Sequence, residues 1–444
     1  MIELSPEIIT AIMVGGVLLG VMTGFPLGAV VGSIGLISGY LVLGDATFQI
    51  IYSRVYSLAQ NYPLLAVPLF TFMGIILQRS GIAAGLYDAL YLLLGKFKGG
   101  LAISTIIFGT ILAACLGVVT ASVTMLTLIA LGPMMSRGYD KSLASGSVCA
   151  GGTLGILIPP SVMLVIYGPM AGISVGKLFM GAIFPGVILA ALYCIYIGVK
   201  TFIHPELAPP LSVKERQVPL TKKMTKLVTS IIPPVILFAA VMGSIFFGIA
   251  PPTEAASVGA FASVLLALAY RKLSWKLVKY ACVETMRISG FVFFIGCLAF
   301  SFVGIFMSVG AGDVITNIIM SVPFGKWGAF IVMMFIVFIL GMFIDWIGII
   351  FIMVPLLSPI APALGFDPIW FAIMVCVNLQ MSFLSPPFAI SIFTCKGSAA
   401  PELGLTTADI IRGVIPFLVL IVVGIGICIV FPQLITWLPG HMIK

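Results

Sequence analysis

The sequence predicts an all-α polytopic membrane protein built from two inverted-topology repeats, each with about five transmembrane helices and one re-entrant hairpin. Of its 444 residues, 61% are hydrophobic and 8% are charged. Charge-free runs such as 99–136 and 142–176 far exceed the ~20 residues that cross a bilayer as a helix. A β-barrel sequence would instead alternate in polarity over stretches of ~10 residues, and this sequence does not.

The repeats are indicated by landmarks that recur in one order. Asp140 precedes Pro159-Pro160 by 19 residues, and Asp367 precedes Pro386-Pro387 by 19 residues, which gives an offset of 227. Two glycine landmarks recur at an offset of 224: Gly24 with Gly248, and Gly117 with Gly341. We therefore predict two structural repeats, about 1–200 and 227–435, joined by a basic linker at 200–226.

The number of crossings sets the relative orientation of the repeats. Two apolar segments, 101–134 and 328–360, are too long for one crossing, because 34 helical residues extend ~51 Å. We predict that each folds back as a re-entrant hairpin, the first at Gly117. The remaining spans are expected at 8–25, 27–43, 62–79, 143–172 and 178–199, and at 227–249, 253–270, 288–309, 368–395 and 410–431. Five crossings per repeat is an odd number, so the second repeat must be inverted.

The basic residues give an independent test of this topology. Placing the linker in the cytoplasm puts 18 of the 22 Lys and Arg residues on the cytoplasmic side, as the positive-inside rule requires. Only Arg54, Lys177, Lys326 and Lys444 fall outside. Both termini are then periplasmic, and the net charge of +8 follows from topology without nucleic-acid binding. Two amphipathic stretches, 82–98 and 271–279, are expected to lie along the membrane surface.

The polar residues favour a function other than catalysis. The eight cysteines are scattered without a CxxC motif, and His204 and His441 lie outside the expected spans. No serine, histidine and acid are placed to form a hydrolytic centre. We therefore expect that the protein is not an enzyme.

The helix interruptions are where ligands are expected. The hairpin turns and the breaks in GGTLGILIPPS and LQMSFLSPPF free backbone groups that need partners inside the membrane. In inverted repeats such breaks meet near the midplane, where carbonyl and hydroxyl oxygens hold sodium and helix N-termini attract anions. For a single glycine, close helix packing is the alternative. The candidate sodium ligands are Gly117, Thr120, Ser122, Gly152, Thr153, Gly155 and Pro159, and then Gly341, Asp345, Gly348, Gln380, Ser382 and Pro386. We expect at least two sodium ions.

Asp345 is the most informative of these residues because it is the only charged residue between Lys326 and Asp367. An acid inside the membrane is functional by default, but an aspartate at this turn can also cap the outgoing limb of the hairpin. Both roles stay open. The candidate substrate-binding residues are Asp345, Asn378, Gln380, Ser382, Ser385 and Ser161.

Four motifs in combination resemble one transporter family. GGTLGILIPPS, PPTEAASVGAF, GMFID and SFLSPPFA are similar to the large membrane subunit of the tripartite ATP-independent periplasmic (TRAP) transporters, and the resemblance covers essentially the whole chain. It implies sodium-coupled uptake by an elevator movement of a transport domain against a scaffold. The scaffold would comprise 1–100 and 227–327. The transport domain would comprise 101–199 and 328–435, with hairpins at 101–134 and 328–360 and broken helices at 143–172 and 368–395.

The resemblance also implies partners and a location. They are a small membrane subunit of about four helices and a periplasmic binding protein that delivers the substrate, with the protein embedded in the lipid bilayer of a bacterial inner membrane. Because the first span begins at about residue 8, we expect the small subunit to be a separate chain. Substrates of such systems are mostly organic acids, including C4-dicarboxylates and sialic acid, and sialic acid is our first choice.

Two other functions remain open. A stand-alone sodium/anion symporter of the divalent-anion type would share the repeats and hairpins but would work without a binding protein. An ion channel, a different class, needs a continuous pore that is usually formed by oligomeric symmetry. Dependence on a binding protein tests the first alternative, and the size of the current tests the second.

Overall fold

The computed structural model describes residues 4–116, 118–210 and 220–443, and every regular element in these ranges is helical. This confirms the predicted all-α class, in which each helix satisfies its own backbone hydrogen bonds in lipid. The helices are α1 (Pro6–Met22), α2 (Leu27–Leu43), α3 (Ala46–Ala59), α4 (Ala66–Arg79), α5 (Ile82–Leu94), α6 (Gly100–Leu116), α7 (Val119–Leu126), α8 (Gly132–Met135), α9 (Lys141–Thr153), α10 (Val162–Ala171), α11 (Val175–Ile203), α12 (Leu220–Phe246), α13 (Pro252–Ala269), α14 (Trp275–Ser308), α15 (Ala311–Met320), α16 (Gly325–Gly341), α17 (Trp346–Leu357), α18 (Ile360–Ala363), α19 (Pro368–Leu384), α20 (Ile390–Ser398), α21 (Thr407–Val430) and α22 (Gln433–Gly440).

Six helical stretches in the described part of the chain are long and apolar enough to cross a membrane. They are Tyr62–Arg79, Val175–Ile203, Pro252–Ala269, Trp275–Ser308, Trp346–Ala363 and Thr407–Val430. Shorter apolar helices of 10–17 residues accompany them, among them α1, α2, α16 and α19. These lengths are what a multi-pass membrane protein requires.

The order of elements in the first half of the chain recurs in the second. Helices α1 and α2 correspond to α12 and α13, and the pair α3 and α4 corresponds to the single long helix α14. Helix α5 then corresponds to α15, the hairpin α6–α7 to α16–α17, and the interrupted helix α9–α10 to α19–α20. The landmarks found in the sequence therefore mark equivalent positions in a repeated series of helices.

The starts of the two interrupted helices are built in the same way. Asp140 accepts a hydrogen bond from the Leu143 N–H at 2.8 Å, and Asp367 accepts one from the Trp370 N–H at 2.9 Å. Two residues earlier, Gly138 and Gly365 both have a φ of 78°, a left-handed conformation that glycine adopts without strain. The recurring Gly-x-Asp motif is thus a turn followed by an N-cap.

Helices of the first half pack against helices of the second half, and corresponding helices make corresponding contacts. Helix α2 packs against the second half of α14, and its counterpart α13 packs against α4. In the same way α7 packs against α20, and its counterpart α17 packs against α10.

These contacts differ between the two halves where the hairpins meet α4 and α14. Helix α4 packs against α6, the incoming limb of the first hairpin, and against α10. The second half of α14, its counterpart, packs against α17, the outgoing limb of the second hairpin. There a methyl group on Gly296 would lie 2.7 Å from the Phe351 ring. The hairpins are therefore displaced from a symmetric position between the two halves.

The structure corrects two expectations about the polar segments. The stretch 271–279 is not a separate surface helix, because Trp275 begins a helix that continues without a break to Ser308. The Ser274 hydroxyl caps this helix, and no proline interrupts it. The linker expected at 200–226 is also shorter, since α11 continues to Ile203 and α12 begins at Leu220.

Helices α3 and α15 are among those that lie outside the predicted spans. Each is short, and each contains charged or polar residues that a search for apolar runs passes over. The stretch 82–98 is helical only as α5, which ends at Leu94 and packs against α6 and α12. Its Tyr87 and Leu90 are buried, so this helix is covered by protein on one side.

Helix α9 lies at the centre of the packing because small residues let its neighbours approach to backbone contact. A side chain on Gly146 would overlap the carbonyl oxygen of Gly413 in α21. Against α6, a methyl group on Gly109 would lie 2.6 Å from the carbonyl oxygen of Gly151. Van der Waals contacts of this kind hold helices together in lipid, where burial of apolar surface gives no net drive for association.

We predict that Gly146→Val lowers stability by at least about 1–3 kcal/mol, the usual cost of inserting bulk into a packed site. The matched control is Gly198→Val in α11, where an added methyl group meets no atom within 4 Å. The measurement is the thermal unfolding midpoint of the purified protein in detergent. Equal midpoints for the two variants would contradict the packing described for α9.

Candidate functional site

The first helix interruption lies between α9 and α10 and is fully buried. Helix α9 ends at Thr153, a short 3₁₀ segment follows, and a cis peptide bond joins Pro159 to Pro160 before α10 begins. The Ser161 hydroxyl donates to the carbonyl of Ile156 and accepts a hydrogen bond from the Leu164 N–H. One serine therefore satisfies backbone groups on both sides of the break, as a break inside a membrane requires.

The second interruption lies between α19 and α20 and repeats the cis Pro386-Pro387 bond. The Ser391 hydroxyl donates to the carbonyl of Phe383 at 2.6 Å. The Phe388 N–H donates to the carbonyl of Met342 in the turn of the second hairpin, at 3.1 Å. In contrast to the first break, Pro386 and Phe388 are exposed, so the two breaks differ in their access to the surface.

Asp345 stands in the turn of the second hairpin, at the N-cap position of α17, and is half-buried. Its carboxylate faces the N–H groups of Trp346 and Ile347 but does not form the capping hydrogen bond that Asp140 and Asp367 form. The carboxylate is therefore not committed to capping, and it keeps oxygen atoms available for a cation or a hydrogen-bond donor.

The structure places the candidate sodium ligands of the first repeat around α7 and the first break. Ser122 and Thr153 are buried, and their hydroxyls donate to the carbonyls of Val118 and Ala150. Gly152 lies against Val123 of α7, so the hairpin limb and the broken helix meet here. Gly155 and Pro159 are buried within the break, Thr120 is exposed, and Gly117 lies outside the described residues.

The candidates of the second repeat contain an unsatisfied buried group. Gln380 is 0% exposed and Ser382 is 5% exposed. In the part of the chain that the structure describes, neither the amide of Gln380 nor the hydroxyl of Ser382 has a hydrogen-bond partner. A side chain on Gly341, at the end of α16, would overlap Ser382 Oγ, so Ser382 lies directly against the hairpin. An uncompensated buried amide costs about 1–3 kcal/mol, and a bound ligand would remove that cost.

The remaining candidate residues form hydrogen bonds within the protein or lie away from Gln380 and Ser382. The Asn378 amide donates to the carbonyl of Met334 at 2.7 Å and so ties α19 to α16. The Ser385 hydroxyl donates to the carbonyl of Met381 at 2.6 Å. Gly348 lies against Leu27 of α2, where the hairpin meets the other part of the protein. The assignment of Asn378, Ser385 and Ser161 as substrate ligands stays a prediction.

Ser391 is the residue at these breaks that sequence reasoning missed. It joins the two ends of the second break, and its carbonyl accepts a hydrogen bond from the Cys149 thiol of α9 at 3.5 Å. The sequence gives little signal for it, because Ser391 lies four residues after Pro387, whereas Ser161 directly follows Pro160.

Solved structures of other proteins share this fold. The fold is similar to that of the Alcanivorax borkumensis YdaH transporter, with a TM-score of 0.64 and 15% identity over 96% of this chain and 99% of that one. It is also similar to Neisseria gonorrhoeae MtrF, with a TM-score of 0.56 and 14% identity over 88% and 85% of the two chains. The class of protein that the fold defines is a polytopic α-helical membrane protein.

Sequence comparison identifies the family within this class. Residues 11–434 match the family described as "Tripartite ATP-independent periplasmic transporter, DctM component", and the chain belongs to this family. The resemblance seen in the four motifs is thereby confirmed, and with it a multi-pass protein of the inner membrane.

Curated relatives of the chain are permeases with different named substrates. A C4-dicarboxylate TRAP transporter large permease of Pseudomonas aeruginosa is 29% identical over 88% of this chain and 89% of its own length. The ectoine TRAP transporter large permease of Halomonas elongata is 27% identical over 97% and 98% of the two chains. The sialic acid TRAP transporter permease of Haemophilus influenzae is 28% identical over 90% of this chain, but only 63% of its own length is covered. The sialic acid branch is therefore one possibility among several.

We predict opposite stability effects at two neighbouring amides of α19. Gln380→Met removes a buried amide that has no partner in the described structure, and should raise the unfolding midpoint of the protein in sodium-free buffer. Asn378→Leu removes a satisfied amide together with its hydrogen bond to the Met334 carbonyl, and should lower the midpoint. Each change should correspond to about 1–3 kcal/mol. Thermal unfolding in choline buffer is the measurement. A lower midpoint for Gln380→Met would show that the amide is already satisfied.

Proposed function

We propose that this protein is the large membrane subunit of a sodium-coupled transporter that imports an organic acid delivered by a periplasmic binding protein. The observation that carries the proposal is that Gln380 and Ser382, near the end of α19, are buried without hydrogen-bond partners among the described residues. Ser382 also lies against the end of α16. Membership in the TRAP family supports transport as the general function.

The oxygen atoms at the two breaks suit sodium. In the second repeat, Gln380 Oε1, Ser382 Oγ and the Asp345 carboxylate lie on the elements that form the break and the adjoining hairpin turn. In the first repeat, the Ser122 and Thr153 hydroxyls donate to carbonyls and keep lone pairs for a cation. We assign at least one sodium ion to each set, because unwound helices with hydroxyl oxygens hold sodium in other transporters built from repeats.

The substrate class follows from the breaks and from the relatives. Helices α10 and α20 begin at the two breaks, and the positive ends of their dipoles favour a carboxylate. The relatives are named for C4-dicarboxylate, sialic acid, isethionate and ectoine. We keep sialic acid as the first candidate within the organic acids.

The movement that we propose is an elevator. The two halves are inverted repeats, the scaffold comprises 1–100 and 227–327, and the transport domain comprises 101–199 and 328–435. The unsymmetric packing of α4 and α14 supports this proposal, as does the burial of the first break beside an exposed second break. In the other state of the elevator the two halves would swap these contacts. Helix α14 would then pack against α16 and α20, and α4 would pack against α7.

The residues of the chain then have separate tasks. The cytoplasmic side carries the linker between α11 and α12, and both termini are periplasmic. The hairpins cover the midplane site from opposite sides, while Ser161 and Ser391 keep the broken helices in shape. Sodium supplies the positive charge that allows the substrate anion to enter a low-dielectric site. A small membrane subunit and a periplasmic binding protein complete the system.

Uptake into proteoliposomes tests the proposal. The chain and its small subunit are reconstituted with an inward sodium gradient, and entry of radiolabelled sialic acid or succinate is measured with and without the binding protein. We expect uptake only when sodium and the binding protein are both present. Sodium-driven uptake without the binding protein would instead indicate a stand-alone symporter, and a current far above transporter turnover would indicate a channel.

Substitution of single ligands tests the sodium sites. Ser382→Ala and Thr120→Ala should each raise the sodium concentration for half-maximal uptake by about tenfold, the equivalent of 1.4 kcal/mol of lost binding energy. The matched control is Ser263→Ala in α13, where the buried hydroxyl donates within its own helix at 2.7 Å. If the sodium dependence is unchanged in both Ser382→Ala and Thr120→Ala, the ligand assignment is wrong.

A further inference from the structure

A cavity of about 540 Å³ lies away from the helix breaks, between two groups of helices. One wall is formed by α3 and α14, which belong to the proposed scaffold. The other wall is formed by the end of α10, the end of the second hairpin and the start of α19, which belong to the proposed transport domain. Its volume lies within the range of small-molecule binding sites in proteins.

Arg54 of α3 is the only charged residue among those that line this cavity. Its guanidinium carbon lies 5.4 Å from the centre of the Phe300 ring, and a methyl group on Gly304 would lie 2.7 Å from Arg54 Nε. The ion pairs found between described residues join His204 to Glu206 and Arg287 to Glu284, and none involves Arg54. Among the described residues Arg54 therefore keeps its hydrogen-bond donors available, and a guanidinium pairs best with a carboxylate or another flat anion.

The other residues that line the cavity indicate what kind of molecule would carry the anionic group. Ser358 also lines the cavity, but its Oγ is closed off from solvent, so Arg54 supplies the charged contact. The other walls are apolar, with Val303 and Met307 on α14 and Pro355 and Phe371 opposite. One positive charge and apolar walls fit a small organic anion with a carbon skeleton.

We propose that this cavity is a second binding site for the transported organic anion, in which Arg54 pairs with its carboxylate. Helix α17 runs from the turn of the second hairpin at Asp345 to the wall of this cavity at Ser358. The 13 residues from Asp345 to Ser358 extend about 20 Å at 1.5 Å per residue, so the two sites are distinct. In the proposed topology Arg54 is one of the four basic residues on the periplasmic side. The site therefore receives the anion before it reaches the midplane.

This inference rests on the proposed function for its physiological role, but not for the binding itself. Because the walls belong to the two bodies that move in an elevator, the cavity changes shape when the transport domain moves. When the cavity is occupied, the anion lies beside the second hairpin, which must open during transport. Substitution of Arg54 should therefore change the affinity for the incoming substrate and leave the sodium dependence unchanged.

A labelling experiment tests binding without transport. Met307, which is 45% exposed and lines the cavity, is replaced by cysteine in a Cys282→Ser background, because Cys282 is the exposed cysteine among those described. The rate of reaction with N-ethylmaleimide is measured on the purified chain with succinate, N-acetylneuraminate or isethionate, and with neutral succinamide as the control ligand. The same chain without the Met307→Cys reporter gives the background rate.

We expect at least one anion to slow labelling and succinamide to have no effect. Arg54→Gln should raise the anion concentration that halves the rate by about tenfold or more, the effect of losing a charge-assisted hydrogen bond. Arg54→Lys, which keeps the charge, should retain part of the protection and shows whether the fold tolerates substitution here. Lys177→Gln, at an exposed basic residue on the same side, should leave protection unchanged.

The outcomes separate this inference from the proposed function. If no anion protects the reporter, or if Arg54→Gln is protected as well as the parent, the second site is wrong even when sodium-driven uptake is found. If protection depends on Arg54 but reconstituted protein shows no sodium-driven uptake, the site stands and the proposed function falls.

Discussion

The backbone at the two helix breaks is the constraint on which this structure depends. Inside a membrane no water satisfies a freed carbonyl or N–H group, so every interrupted helix needs partners from protein. Ser161 supplies them at the first break, and Ser391 and the hairpin turn at Met342 supply them at the second. The hairpins are therefore part of what makes the breaks stable, and the two kinds of element occur together in each half of the chain.

The structure contains both tightly packed helices around α9 and buried polar groups without partners at Gln380 and Ser382. Around α9, glycines bring three helices to backbone contact, and little is left unpaired at their contact. At Gln380 and Ser382, buried polar atoms have no partner among the described residues. A protein that keeps such groups gives up stability in the empty state, and it recovers that free energy when an ion or substrate binds. The rigid packing around α9 gives this site a fixed shape.

The sequence predicted those features that depend on short-range chemistry. Gly138 and Asp140 mark a turn and a cap, so their recurrence at 365–367 revealed the repeat, and the apolar runs gave the helical class. Continuity of α14 and the existence of α3 were missed, because hydrophobicity does not distinguish a long helix with a polar start from two separate elements. Which of the candidate ligands is unpaired depends on packing between α16 and α19. The Arg54 cavity unites residues 54, 300 and 358, which only the tertiary structure brings together.

The two halves also differ in stiffness. In the first half, α3 and α4 are separated by the short segment Gln60–Leu65, which contains a proline and a single 3₁₀ turn. In the second half the equivalent chain is the unbroken α14, a rod of 34 residues that extends about 51 Å at 1.5 Å per residue. A force on the first half is absorbed by bending at the joint, whereas a force on the second is transmitted along the rod. The first half therefore contains two shorter helices, α3 and α4, at the place where the second half contains the single long helix α14.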